Sequence, residues 1–224
     1  MRGGKPAVVV FEDAGAIAAA AANIIDARIT EKLSATGRAD IAISGGRIAG
    51  PLFDDLTKRR ADWTGVHLWI ADERCVPYDD PDSNVKLVRE RLPAPGSVLH
   101  APPPDGDPEK RALAYSFQLK ERVLDLVFLG LGEDAHTASL FPDNPAVDDE
   151  RTIVPVFDSP KPPAERTSLS LGTLTAIPVR LFLVTGEGKR EALGKLLGEP
   201  TRSAPSSLLP AEGTTVLADH AAAG

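Results

Sequence analysis

Cysteine is all but missing from this chain of 224 residues. Cys75 is the only one, so no intrachain disulfide can form. The four histidines, His67, His100, His136 and His220, lie far apart, and no Cys/His cluster has zinc-ligand spacing. Aromatic residues are scarce at 5%, which leaves alanine and valine among the common apolar residues. A basic excess is also absent. Lys plus Arg number 25 against 32 Asp plus Glu, a net charge of −7, and this disfavours a nonspecific grip on nucleic acid or an anionic membrane. Nor is there a long apolar run. Arg2 and Lys5 precede an apolar patch in the manner of a secretory leader, but Glu12 and Asp13 interrupt it, and Ala14–Ile25 is too short to cross a bilayer. A cytoplasmic protein with neither nucleic-acid nor membrane partners is expected.

What is present fits a soluble globular protein. Apolar residues at 42% and charged residues at 25% exclude disorder, collagen and coiled coil, and the length suits one α/β domain over 1–224. Apolar runs suited to strands occur at Ala7–Phe11, Asp40–Ser44, Val66–Ala71, Asp125–Leu131, Ile153–Phe157, Thr167–Leu171, Arg180–Thr185 and Thr214–Ala218. Helices are expected between them: an alanine-rich one capped by Asp13, then Pro51–Arg60, Ser83–Leu92, Glu109–Leu124 and Gly188–Leu197. The proline-rich stretch Pro93–Pro108 reads as a surface excursion, because the alternation resumes unchanged after it. Near-continuous apolar strands separated by helices predict an α/β fold, a mainly parallel open sheet with helices on both faces, Rossmann-like. Ligands in such sheets sit beyond the carboxyl ends of strands.

Four unusual segments directly follow strands. Ser44-Gly45-Gly46-Arg47 can converge backbone amides on an anion at a helix start, or can be a plain tight turn. Asp72-Glu73-Arg74 places three charges at a strand end. Arg74 suits a phosphate, and the alternative is a local ion pair, while Cys75 reads as a small packing residue. Gly130–Pro142 carries His136 two residues after Asp134, and a neutral imidazole oriented by a carboxylate can take a proton from water. The Gly130–Ala135 match to the dinucleotide fingerprint fails because Pro142 and Pro145 cut the following helix short. Ser139 lacks a nucleophile elbow and reads as a helix-start or packing residue. Thr185–Lys189 lacks the first glycine and the hydroxyl residue of a nucleotide phosphate loop, yet Lys189 at a helix start can serve one phosphate, or can be a solvated surface lysine.

Together these segments resemble the 6-phosphogluconolactonase family, within the wider glucosamine-6-phosphate deaminase-like fold group. The strongest marks are Asp72–Asn84 (DERCVPYDDPDSN) and Gly130–Asp143 (GLGEDAHTASLFPD), supported by Arg166–Leu171 and Val184–Lys189. The resemblance implies hydrolysis of 6-phospho-D-glucono-1,5-lactone to 6-phospho-D-gluconate, the second step of the oxidative pentose phosphate pathway, without metal or organic cofactor. It implies that Ser44, Gly45, Gly46, Arg47, Arg74 and Lys189 hold the sugar phosphate, and that His136 is the general base, supported by Asp134. Two departures from the family pattern stand out. Ala135 replaces a glycine, at a cost of about 1 kcal/mol if that position takes a positive φ, and Ile48-Ala49 replace a hydroxyl residue and proline. The competing readings are a sugar-phosphate isomerase or deaminase of the same fold and a catalytically weakened sugar-phosphate-binding protein.

Overall fold

Strands and helices alternate along the computed structural model, which describes residues 4–120 and 122–224. Arg2 of the basic N-terminal pair and Glu121 of the expected 109–124 helix lie outside the described residues. The strands are β1 (Ala7–Phe11), β2 (Ala39–Ile43), β3 (Val66–Ile70), β4 (Asp72–Arg74), β5 (Val98–His100), β6 (Leu126–Gly130), β7 (Ile153–Val156), β8 (Arg166–Leu169), β9 (Arg180–Val184) and β10 (Thr214–Asp219). The helices are α1 (Ala14–Thr36), α2 (Ala49–Arg59), α3 (Asn84–Arg91), α4 (Pro108–Leu119), α5 (Leu171–Ala176), α6 (Arg190–Leu196) and α7 (His220–Ala223).

Seven strands form one sheet in the order β1-β10-β9-β6-β2-β3-β5, and every pair in it is parallel. Side-chain alternation sends Leu126 and Phe128 of β6 to one face, with Ile17, Ile25, Leu52 and Val85 of α1, α2 and α3. Val127 and Leu129 point to the other face, with Tyr115, Ala192 and Ala222 of α4, α6 and α7. Helices therefore cover both faces, as expected. From β2 the chain crosses to β3 on one side, whereas from β6 it reaches β9 on the other. The β2–β6 junction at the centre of the sheet is thus a topological switch point, where a crevice opens beyond the carboxyl ends.

Local signals account for most boundaries. Asp13 Oδ1 accepts from Ala16 N at 2.8 Å, Ser83 Oγ from Lys86 N at 3.3 Å, and Asp107 Oδ1 from Lys110 N at 2.9 Å, each an N-cap. Helix α4 stops at Leu119, short of the expected 124, because Lys120 leaves helical geometry with φ 50°. The expected 188–197 helix divides into a 3₁₀ turn, Glu187–Lys189, followed by α6.

Two expectations need correction. Ile153–Phe157 and Thr167–Leu171 do not join the main sheet. With Asp72–Arg74 they form a separate antiparallel sheet in the order β4-β8-β7. The reason is that β4 follows β3 almost without a break and offers its edge to β8. In addition, the Pro93–Pro108 excursion contains a short strand, β5, which closes the main sheet beside β3. Among the described residues, no helix is long and apolar enough to cross a membrane.

Candidate active site

The segments after β2, β4, β6 and β9 meet around one cavity of about 340 Å³ over the switch point. Ser44, Gly45, Gly46, Arg47, Arg74, His136 and Lys189 all line it. Asp134 stands immediately behind His136. None of the residues in Pro93–Pro108 reaches it.

On the β2 side, the Ser44 hydroxyl is buried and has no hydrogen-bond partner among the described residues. Helix α2 follows with no side chain capping its first amides, so the turn leaves donors without acceptors, as an anion site requires. Gly45 is dictated by contact, since a Cβ there would lie 1.9 Å from Asn84 Oδ1. Gly46 has φ +100°, the left-handed region that glycine enters freely.

Strand β4 divides its charges between two tasks. Glu73 is fully buried and accepts from Arg74 N, Asn84 N and Val85 N, each at 2.8 Å, and from Ser83 Oγ at 3.0 Å. It anchors the start of α3; burial pushes its carboxyl up, and these bonds only partly oppose the rise. Glu73 is therefore architectural, and the local ion pair considered for this segment is not how it is used. Arg74 lines the cavity, with Nη1 donating to the Asp82 carbonyl and a buried Nε left without a partner among the described residues. In register, Arg74 sits directly opposite Arg166 of β8. Like charges facing each other across strands are unfavourable unless an anion answers both.

The β6 segment holds the histidine. His136 Nδ1 lies 2.5 Å from Asp134 Oδ1, and His136 N donates to the same oxygen at 3.3 Å. The ring packs on Phe141 with centroids 4.4 Å apart, and its side chain is 15% exposed. Burial pushes the Asp134 carboxyl up, but its hydrogen bond to His136 and the positive field of His136 and Lys161 outweigh this and hold it well below the usual carboxylate range. Gly132 makes room for the pair, because a Cβ there would lie 2.0 Å from His136 Nδ1 and 2.4 Å from Asp134 Oδ1. Ala135 has φ 65°, so the positive-φ condition is met and alanine there costs about 1 kcal/mol. Lys189 lies near Glu133 at 4.0 Å; burial, with Lys161 and Arg47 nearby, lowers its pKa.

Residues 12–217 match the model of a family described as glucosamine-6-phosphate isomerases/6-phosphogluconolactonase. The chain belongs to this family. It is similar to human (Homo sapiens) 6-phosphogluconolactonase, with 35% identity over 211 residues covering 85% of this chain and 81% of that protein. It is 34% identical to the 6-phosphogluconolactonase of Mycobacterium leprae, over 94% of this chain and 92% of that one. The solved structure of a 6-phosphogluconolactonase from Shewanella baltica superposes with a TM-score of 0.88 at 25% identity, covering 96% of this chain and 98% of that chain.

Sequence reasoning missed five polar residues that line the cavity: Asp72, Asn84, Lys161, Arg166 and Thr185. Arg166 is buried, and it spends Nε on the Pro163 carbonyl at 3.1 Å and Nη2 on that of Lys161 at 3.0 Å. It thereby ties down the β7–β8 loop that carries Lys161 to the cavity. One signal was available, the run Ser159-Pro160-Lys161-Pro162-Pro163, in which prolines stiffen the backbone on both sides of one lysine. Ser139, expected as a helix-start or packing residue, is fully buried, and its Oγ donates to Asp72 Oδ2 at 2.7 Å.

Proposed function

We propose that this protein hydrolyses 6-phospho-D-glucono-1,5-lactone to 6-phospho-D-gluconate, the second step of the oxidative pentose phosphate pathway, in a cytoplasmic setting. The observation that carries the reading is the His136–Asp134 pair in a cavity that five cationic side chains line: Arg47, Arg74, Lys161, Arg166 and Lys189. The protein as a whole is acidic, so this local excess of positive charge is suited to a phosphate dianion. Ser44, the amides of Gly45 and Gly46, Arg47, Arg74 and Lys189 bind the phosphate, with the Ser44 hydroxyl providing the donor that Ile48 and Ala49 cannot.

Asp134 holds the proton on Nδ1 of His136, which leaves the Nε2 lone pair free. Nε2 takes a proton from water as the water oxygen bonds to the lactone carbonyl carbon. The carbonyl electron pair moves onto its oxygen, where the cationic lining offsets the developing charge. When the tetrahedral species collapses, the bond to the ring oxygen breaks and the imidazolium returns its proton to that oxygen. The products are a carboxylic acid, which ionises at neutral pH, and a free hydroxyl.

The test is proton release from freshly generated lactone with the uncatalysed background subtracted. Hydrolysis well above background is expected. Background rates combined with ammonia release from glucosamine 6-phosphate would assign the chain to deaminase chemistry instead.

A further inference from the structure

Among the described residues, Asp72 is the one carboxylate that lines a cavity otherwise rich in cations. It is 94% buried, since its relative exposure is 6%. A carboxylate facing a phosphate dianion would repel it, so Asp72 belongs to a different part of the ligand. Its position is built rather than incidental. Asp72 and Arg74 share a face of β4 as residues i and i+2, and Asp72 sits opposite Ser168 of β8. Ser139 Oγ donates to Asp72 Oδ2 at 2.7 Å, and Ser139 N in turn donates to Ser168 Oγ at 3.3 Å. The Asp72 carbonyl accepts from Asn84 Nδ2 at 2.7 Å, which fixes the backbone as well. Among the described residues, the bond to Ser139 is the only one its carboxylate accepts, so Oδ1 of this cavity-lining residue has no protein donor.

The surrounding cations and backbone amides are donors, whereas hydroxyl groups also need an acceptor for their protons. A carboxylate is the strongest uncomplicated acceptor available to a protein, and its charge shortens and strengthens the bond. We propose that Asp72 reads the hydroxyls of the ligand, accepting from those that lie between its phosphate and its carbonyl carbon. It repels phosphate from that part of the cavity and thereby sets which end of the ligand faces His136. Asp72 is thus a specificity-determining binding residue, with Ser139 as its positioning residue. This inference rests on the lactonase reading.

The experiment compares wild type with Asp72→Asn by calorimetry, using 6-phosphogluconate and inorganic phosphate as probes. The amide oxygen can still accept from Ser139, so the substitution removes charge with little change of shape. Affinity for 6-phosphogluconate should fall about 10- to 100-fold, the usual worth of a hydrogen bond to a charged group. Affinity for inorganic phosphate should stay the same or rise, because a repelling charge is gone. Equal loss for both probes, or no loss for either, would overturn the proposal. Should Asp72→Asn fail to fold, wild type alone decides. It should bind 6-phosphogluconate about 10-fold or more tighter than 6-phosphooxyhexanoate, a chain of the same length without the hydroxyls, and equal affinities would sink the idea. Lactone hydrolysis by wild type is measured separately, so failure of the lactonase reading is distinguishable from failure of this one.

Discussion

Two histidine pairs occupy different regions of this molecule, and their partners decide what each does. At the sheet edge, His67 of β3 and His100 of β5 meet with Nδ1 and Nε2 2.9 Å apart. His100 stacks on Trp69 at a centroid distance of 3.8 Å, and the indole of Trp69 donates to Asp40 Oδ1 at 2.8 Å. Beyond the carboxyl ends, His136 pairs with a carboxylate and lines the cavity. An imidazole facing another imidazole is best kept neutral, since two adjacent positive charges repel. An imidazole facing a carboxylate gains when it is protonated. The edge pair therefore closes a sheet, and the other pair can cycle a proton. Residue type alone does not separate them.

The largest expected effect tests that contrast directly. His136→Ala should lower kcat by about 10²- to 10⁴-fold, the usual worth of a general base, while 6-phosphogluconate still binds. His67→Ala should leave kcat near wild type and lower the melting temperature. Comparable kcat losses in the two variants would erase the distinction. If His136→Ala keeps its kcat, Asp134 becomes the next candidate base.

Next in size is the charge that only the cavity region carries. Arg74→Ala should weaken 6-phosphogluconate binding by roughly 2–5 kcal/mol if its pairing with phosphate is desolvated. Calorimetry measures this, and an unchanged affinity would remove Arg74 from the phosphate site.

Acid should then separate the two regions by pH window. Burial lowers the pKa of both His67 and His100. The unfolded chain thus binds more protons than the folded one below the ordinary histidine value of about 6.5, and folding stability falls as pH drops below it. Asp134 is held low in the folded state, so its contribution is intact above the ordinary aspartate value of about 3.9 and is lost only in stronger acid. Denaturant melts between pH 7.5 and 5.5 should show the first loss, and His67→Gln with His100→Gln should flatten it. A slope unchanged by that double substitution would take the edge pair out of the account.

The smallest effect concerns the backbone beside the His136–Asp134 pair. Ala135→Gly relieves the left-handed strain but adds freedom to the unfolded chain, so a net gain of about 0.5 kcal/mol is expected. A loss of stability in denaturant melts would mean that the buried methyl group packs better than it strains.

Much of this was legible in the residues. Asp13 and Ser83 announce their helices, and glycines mark the places where chain must approach chain closely. Ser44–Arg47, Arg74, His136 and Lys189 could be gathered at one site because parallel α/β sheets collect ligands at strand carboxyl ends. The second sheet was not legible. Strands of similar apolar character suit either sheet, and nothing near Arg166 in sequence says that it will face Arg74.

Strand–helix order, most of the caps, the His136 loop and the glycine turn at Ser44–Arg47 were set by local sequence, because these depend on neighbours a few residues away. Tertiary contacts alone bring Arg166 and Lys161 to the cavity, make Glu73 the anchor of a helix, and leave Asp72 as a carboxylate lining that cavity. The placing of Arg166 beside Arg74 comes from β4 pairing with β8, a contact between segments distant along the chain. Such pairing depends on which free edge folding leaves available, and short-range sequence patterns carry no record of that.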